Sequence, residues 1–81
     1  MGNLPSKLYY AHLDNGSFRG IFSNKKIMLD ELYYQSAFKL KYINSYQSFS
    51  ELIKWNKVFE TETSEGILTI TTFEPNKPLL E

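Results

Sequence analysis

Lys7-Leu8-Tyr9-Tyr10-Ala11-His12-Leu13-Asp14-Asn15-Gly16-Ser17-Phe18-Arg19-Gly20-Ile21-Phe22-Ser23 is the stretch whose reading decides the fold. Its centre, Asp14-Asn15-Gly16-Ser17, carries the strongest short-range hairpin signal. A two-residue type I′ loop needs positive φ at both central positions, which Asn followed by Gly supplies at little steric cost. With Asn15 and Gly16 as the turn, Leu13 faces Phe18, His12 faces Arg19, Ala11 faces Gly20, Tyr10 faces Ile21 and Tyr9 faces Phe22. Side chains alternate along a strand, so Tyr9, Ala11, Leu13, Phe18, Gly20 and Phe22 share one apolar face, the expected core. Leu8, Tyr10, His12, Arg19, Ile21 and Ser23 share the other, which mixes aromatic and basic groups and is the candidate ligand surface.

Downstream, Asn24 suits a helix N-cap. Leu29, Leu32, Tyr33, Ser36, Ala37 and Leu40 then recur at helical spacing, which predicts a helix over about 25–37. Lys26 and Asp30 stand four residues apart on its other side. Phe38-Lys39-Leu40-Lys41-Tyr42-Ile43 alternates and reads as a third strand, in competition with the helix over Phe38 to Leu40. Ser48-Phe49-Ser50-Glu51 fits a capping box with Ser48 as N-cap, opening a second helix that carries Phe49, Leu52, Ile53 and Asn56 on one side and stops near Lys57. Val58 to Thr63 and Ile67 to Phe73 are rich in β-branched residues and predict a second hairpin, with Ser64-Glu65-Gly66 as a three-residue loop. The element order argues an α+β fold: a small antiparallel sheet built on the N-terminal β-hairpin, two helices, and a C-terminal β-hairpin. The three prolines, Pro5, Pro75 and Pro78, bracket the expected single domain over 7–74, with flexible ends at 1–6 and 75–81.

At 81 residues the chain has room for one small core. Cysteine is absent, which excludes disulfides, thiolate metal sites and thiol catalysis, and leaves stability to packing. Six Tyr, six Phe and one Trp suit that demand. No apolar run reaches membrane-spanning length and no charged-then-apolar leader opens the sequence, so a soluble, cytoplasmic protein without membrane contact is expected. Net charge is zero but unevenly spread. Up to residue 57, Lys7, Arg19, Lys25, Lys26, Lys39, Lys41, Lys54 and Lys57 outnumber Asp14, Asp30, Glu31 and Glu51. Beyond it, Glu60, Glu62, Glu65, Glu74 and Glu81 face Lys77 alone. That asymmetry suits a polyanion site, a charged protein partner, or ordinary solvated surface.

Catalytic constellations are nearly missing. His12 is the only histidine, so no His pair or Cys-His dyad exists. Glu60 with Glu62, and Asp30 with Glu31, lack the burial cues of acid–base pairs, and the four glycines form no phosphate cradle. Neither an enzyme nor a cofactor is expected. Tyr10, His12 and Arg19 on one strand face, with Lys25, Lys26 and Lys41 nearby in sequence, suit stacking and phosphate contact with nucleic acid. The competing reading packs Tyr10 and Ile21 under a helix and leaves His12 and Arg19 solvated.

Tyr9-Tyr10-Ala11, Gly20-Ile21-Phe22 and Tyr46-Gln47-Ser48-Phe49-Ser50-Glu51-Leu52 together resemble the small hybrid-binding domain of eukaryotic-type ribonuclease H and caulimovirus viroplasmin. The resemblance covers roughly residues 8–55. It implies an antiparallel sheet with two helices that grips RNA–DNA hybrid or double-stranded RNA, with Tyr10 meeting the sugar-phosphate backbone. The sequence departs from that pattern where Lys25 stands at the family's Trp, where Asn44 and Ser45 stand at its paired basic residues, and in the added hairpin over 58–73.

Two functions follow as expectations. One is a small non-catalytic module for structured nucleic acid, using Tyr10, His12, Arg19, Lys25, Lys26 and Lys41. The other, from a different class, is a protein-interaction module, a small inhibitor or adaptor of phage or mobile-element type. It would use the aromatic surface or the open edge of the second hairpin, where Thr61, Thr63, Thr69 and Thr71 lie, and homodimerisation through that edge is its simplest form. The zero net charge favours the second, since dedicated nucleic-acid binders are usually basic.

Overall fold

The first hairpin forms in the expected register, through a different turn. A computed structural model describes residues 7–75. In it β1 (Leu8–Leu13) pairs antiparallel with β2 (Arg19–Phe22), with Tyr9 opposite Phe22 and His12 opposite Arg19. The connection is a four-residue loop and not a type I′ turn. The Gly16 N–H donates to the Leu13 carbonyl at 3.0 Å, and the Leu13 N–H donates to the Phe18 carbonyl at 3.0 Å. Gly16 takes φ +77, whereas Asn15 does not enter the positive-φ region. The Asn15 side chain is committed elsewhere: its Oδ1 accepts from the Ser17 N–H at 2.8 Å and its Nδ2 donates to the Glu65 carbonyl at 2.8 Å. The wider loop is centred on the same residues, so the register is unchanged.

The helical layer departs further from expectation. Asn24 caps α1 (Lys25–Asp30) by accepting from the Ile27 N–H at 3.0 Å. The helix then widens into a π-helical turn over Glu31–Gln35 and stops where Ser36 becomes extended. The wider turn shifts the phase of everything after it. Met28, Leu29 and Leu32 are buried, while Ala37, expected on the same stripe, is exposed. Lys26 and Asp30 form the expected ion pair at 3.0 Å. In α2 (Tyr46–Leu52) the N-cap is Ser45, not Ser48: Ser45 Oγ accepts from the Ser48 N–H at 3.1 Å, and Glu51 bonds to Gln47. α2 ends at Leu52, short of Lys57, because Ile53 turns extended and carries its side chain into the core. Among the described residues Asn56 is the only non-glycine residue with positive φ, and its N–H donates to Thr72 Oγ1 at 3.0 Å.

The segment read as a third strand is not one. Only Leu40 bridges Thr63, with Lys41 N–H donating to the Glu62 carbonyl and Ser64 N–H to the Lys39 carbonyl. It covers half the outer edge of β3 (Phe59–Thr63), which pairs antiparallel with β4 (Gly66–Phe73). The second turn is tighter than expected, since Thr63 pairs directly with Gly66 and leaves Ser64 and Glu65 as the loop. Thr63 Oγ1 closes it, accepting from the Glu65 N–H at 3.0 Å and donating to the Gly66 carbonyl at 2.8 Å.

The two hairpins join through β1 and β4, antiparallel, giving one four-stranded sheet in the order β2-β1-β4-β3. Both helices lie on one face, where Met28, Leu29, Leu32, Phe49 and Ile53 pack with Tyr9, Ala11, Leu13, Leu68 and Ile70. The protein is a small α+β domain, as its periodicities predict. The edges carry Arg19 on β2 and Glu60 and Glu62 on β3, a common way of protecting exposed strands. No helix of the described residues is long and apolar enough to cross a membrane. Of the ends expected to be flexible, 1–6 and 75–81, all but Pro75 lie outside the described residues.

Candidate functional site on the open face of the sheet

Register decides which side chains meet on the face turned away from the helices. Tyr10 pairs with Ile21 on one side and Thr71 on the other. One rung along, Arg19, His12, Thr69 and Glu60 run across the sheet from edge to edge. Leu8 and Phe73 form a further rung, and Ile67 with Glu62 another. Arg19, Ile21 and Glu60 are exposed, while Tyr10, His12, Thr69, Ile67 and Phe73 are half-buried. Tyr10 and His12 stack at 4.8 Å between ring centroids with planes 22° apart. Tyr10, Arg19, Gly20, Ile21 and Phe73 line an open groove along the β2 half, and Tyr42, Glu60, Thr61, Glu62 and Ile67 line a second at the β3 edge. Thr71 is buried between them, and its Oγ1 has no hydrogen-bond partner among the described residues.

Of the six residues predicted as nucleic-acid contacts, the fold brings together Tyr10, His12 and Arg19. It does not bring Lys25, Lys26 or Lys41 to them. Lys25 Nζ donates to the Ile53 carbonyl at 2.7 Å and ties the start of α1 to the end of α2. Lys26 is paired with Asp30 on the helical side. Lys41 pairs with Glu62 at 3.2 Å, at the opposite edge of the sheet from Arg19. Beside the Lys26–Asp30 pair lies Tyr46, stacked on Tyr34 at 5.5 Å. The Lys26 ammonium and then the Tyr46 hydroxyl hold the Asp30 carboxyl below its ordinary value. Asp30, in turn, raises Lys26. Desolvation and then Asp30 raise Tyr46. This cluster fastens α1 to α2 and sits apart from the sheet face.

Phe73, Ile67, Thr69 and Glu60 were not among the predicted site residues. The alternation of Ile67, Thr69, Thr71 and Phe73 puts them on one face of their strand, but only the β1–β4 register puts that face beside Tyr10 and His12. Chemically, among the described residues, the surface offers aromatic and aliphatic groups, hydroxyls, Arg19 without an ion pair at one edge, and at the other Glu60 and the Lys41-paired Glu62. Among the described residues no group of three His, Cys, Asp or Glu side chains is placed to hold a metal ion. No protein-family model, curated protein or solved structure matches the chain.

Proposed function

We propose that this chain is a small non-catalytic binding module that engages a protein partner through the open face of its sheet. The observation that carries this reading is the makeup of that face. Ile21 at 63% exposure on the β2 edge, with Tyr10 and Phe73 on the two central strands, forms an apolar patch, with Arg19 beside it on β2 and Glu60 and Glu62 at the opposite edge. Aromatic anchors inside a rim of mixed charge suit a protein interface. Glu60, which has no ion-pair partner among the described residues, opposes a phosphate backbone laid across the face, and Lys25, Lys26 and Lys41 are already engaged, Lys41 with Glu62. Panning a displayed peptide library against the full chain tests the assignment. Selected binders are expected to lose affinity on Tyr10→Ala or Ile21→Asp and to keep it on Tyr34→Ala, which lies on the helical layer. Binders that map to the helical layer instead would refute it.

The Tyr10–His12 stack beside Arg19 favours a second reading, the structured nucleic-acid module, with Tyr10 and His12 as stacking platforms and Arg19 on phosphate. Its test is a gel-shift series with RNA–DNA hybrid, duplex RNA and duplex DNA at low salt. A shift that weakens with salt and is lost in Tyr10→Ala and Arg19→Ala supports it; no shift at tens of micromolar protein removes it.

A further inference from the structure

We propose that the open face packs against the same face of a second copy of this chain, forming a two-fold symmetric sheet-on-sheet dimer. The proposal rests on the open face being the interaction surface and names its partner. Arg19 and Glu60 are the starting point. They stand at the two ends of one rung, and neither has an ion-pair or hydrogen-bond partner among the described side chains. Three strand spacings separate them, about 14 Å at the usual spacing, too far to meet within one chain.

Turning the molecule over about an axis parallel to the strands, midway between β1 and β4, lays β2 of one copy on β3 of the other. Arg19 then stands over the partner's Glu60, and by symmetry the pairing occurs twice. The same rotation brings apolar groups together. Ile21, 63% exposed, lies on the β2 edge, and Val58, 43% exposed, immediately precedes β3 at the opposite edge. Tyr10 and Phe73, half-buried in the single chain, fill the centre, and stacking two sheets would dry it. The alternative in-plane axis, perpendicular to the strands, would set Arg19 against Arg19 and the β3 carboxylates against each other. Charge therefore selects one of the two arrangements, with strands of the two copies near the aligned angle usual for packed sheets.

Size sets the expected strength. Four strands of about six residues present on the order of 400 Å² of projected face. Counted over both copies that is about 800 Å², below the range of stable specific complexes and in that of weak, transient ones, so a weak dimer that forms only at high protein concentration is expected.

Sedimentation of the full chain from micromolar to millimolar concentration tests the proposal. Wild type should show a concentration-dependent dimer. Arg19→Glu and Glu60→Arg should each weaken it at least about tenfold, because each creates two like-charge contacts. The combined Arg19→Glu, Glu60→Arg protein should regain affinity to within about threefold of wild type, since the pairs reform with reversed sign. Both side chains are exposed, and circular dichroism checks that each variant is folded. A wild type that stays monomeric to millimolar concentration overturns the second copy as partner, and leaves the open face to be judged by the peptide selection. A dimer unmoved by the single reversals shows that another surface associates, which overturns this dimer and again leaves the open face to be judged by the peptide selection. A monomer that shifts duplex nucleic acid, with the shift lost in Arg19→Glu, assigns the face to nucleic acid instead.

Discussion

Gly66 shows how much one residue carries at the junction of the two hairpins. It opens β4 at φ +132, and a Cβ there would run into Asp14 Oδ1. That carboxylate is held in place: it accepts from the Ile67 N–H at 3.1 Å, while the Asp14 N–H donates to the Ile67 carbonyl at 2.9 Å. Gly66→Ala therefore meets both backbone strain and a fixed neighbour, and is expected to cost about 1–3 kcal/mol in urea unfolding. Gly16 provides the control. It has φ +77 but open space around a built Cβ, so Gly16→Ala should cost only about 1–2 kcal/mol of left-handed strain. The expected order is Gly66→Ala worse than Gly16→Ala, and the reverse would mean the hairpin tips are not locked. Asn15 and Gly16 were legible as a turn from sequence. The commitment of the Asn15 amide to Glu65, fifty residues on, was not, because local turn rules take no account of a distant carbonyl.

At the scale of elements, α2 separates a sequence rule from the geometry that satisfies it. Ser48-x-x-Glu51 matches a capping box, yet Ser45 makes the cap. Starting the helix three residues earlier brings Tyr46 onto it, where that ring stacks on Tyr34 beside Asp30. Ser45→Ala should lower stability by about 1 kcal/mol. Ser48→Ala, within the exposed helix, should change it by less than about 0.5 kcal/mol. Thermal or urea unfolding of the pair decides which serine is the cap. The Lys26–Asp30–Tyr46 cluster adds a pH dependence. The folded carboxyl of Asp30 titrates below its ordinary 3.8, so its contribution is present above that value and is lost as pH falls through the lower folded value. Asp30→Asn should remove this part of the acid slope and leave the curve near neutrality parallel to wild type. An unchanged acid slope in Asp30→Asn would show that the pairing does not persist in solution. The start of the first helix was read correctly from Asn24, but its C-terminal part was not. The π-helical turn puts Ala37 out to solvent, and no single residue in Glu31–Gln35 announces an extra residue per turn.

For the whole molecule, β1 and β4 are paired on both sides while β2 and β3 are edges. In native-state hydrogen exchange the slowest amides should lie in Tyr9–Leu13 and Leu68–Thr72, with Arg19–Phe22 faster. A β2 that exchanges as slowly as β1 would mean its edge is covered in solution. The sequence by itself determined the two hairpins, the register of the first, both helices and the one-sided core, because each rests on periodicity and turn chemistry within about twenty residues. It also grouped Tyr10, His12 and Arg19. Tertiary structure alone decided that β1 lies beside β4, since Tyr10 opposite Thr71 and His12 opposite Thr69 join strands some sixty residues apart, and a chain's local pattern cannot say which of its apolar strands become neighbours. It also denied Phe38–Ile43 a strand, because only Leu40 reaches the β3 edge, and withdrew three lysines from the site by engaging them with Ile53, Asp30 and Glu62. The open face, with Arg19 at one edge and Glu60 at the other, exists only once four strands are in order, because an ordering across a sheet is a property of packing and not of any segment.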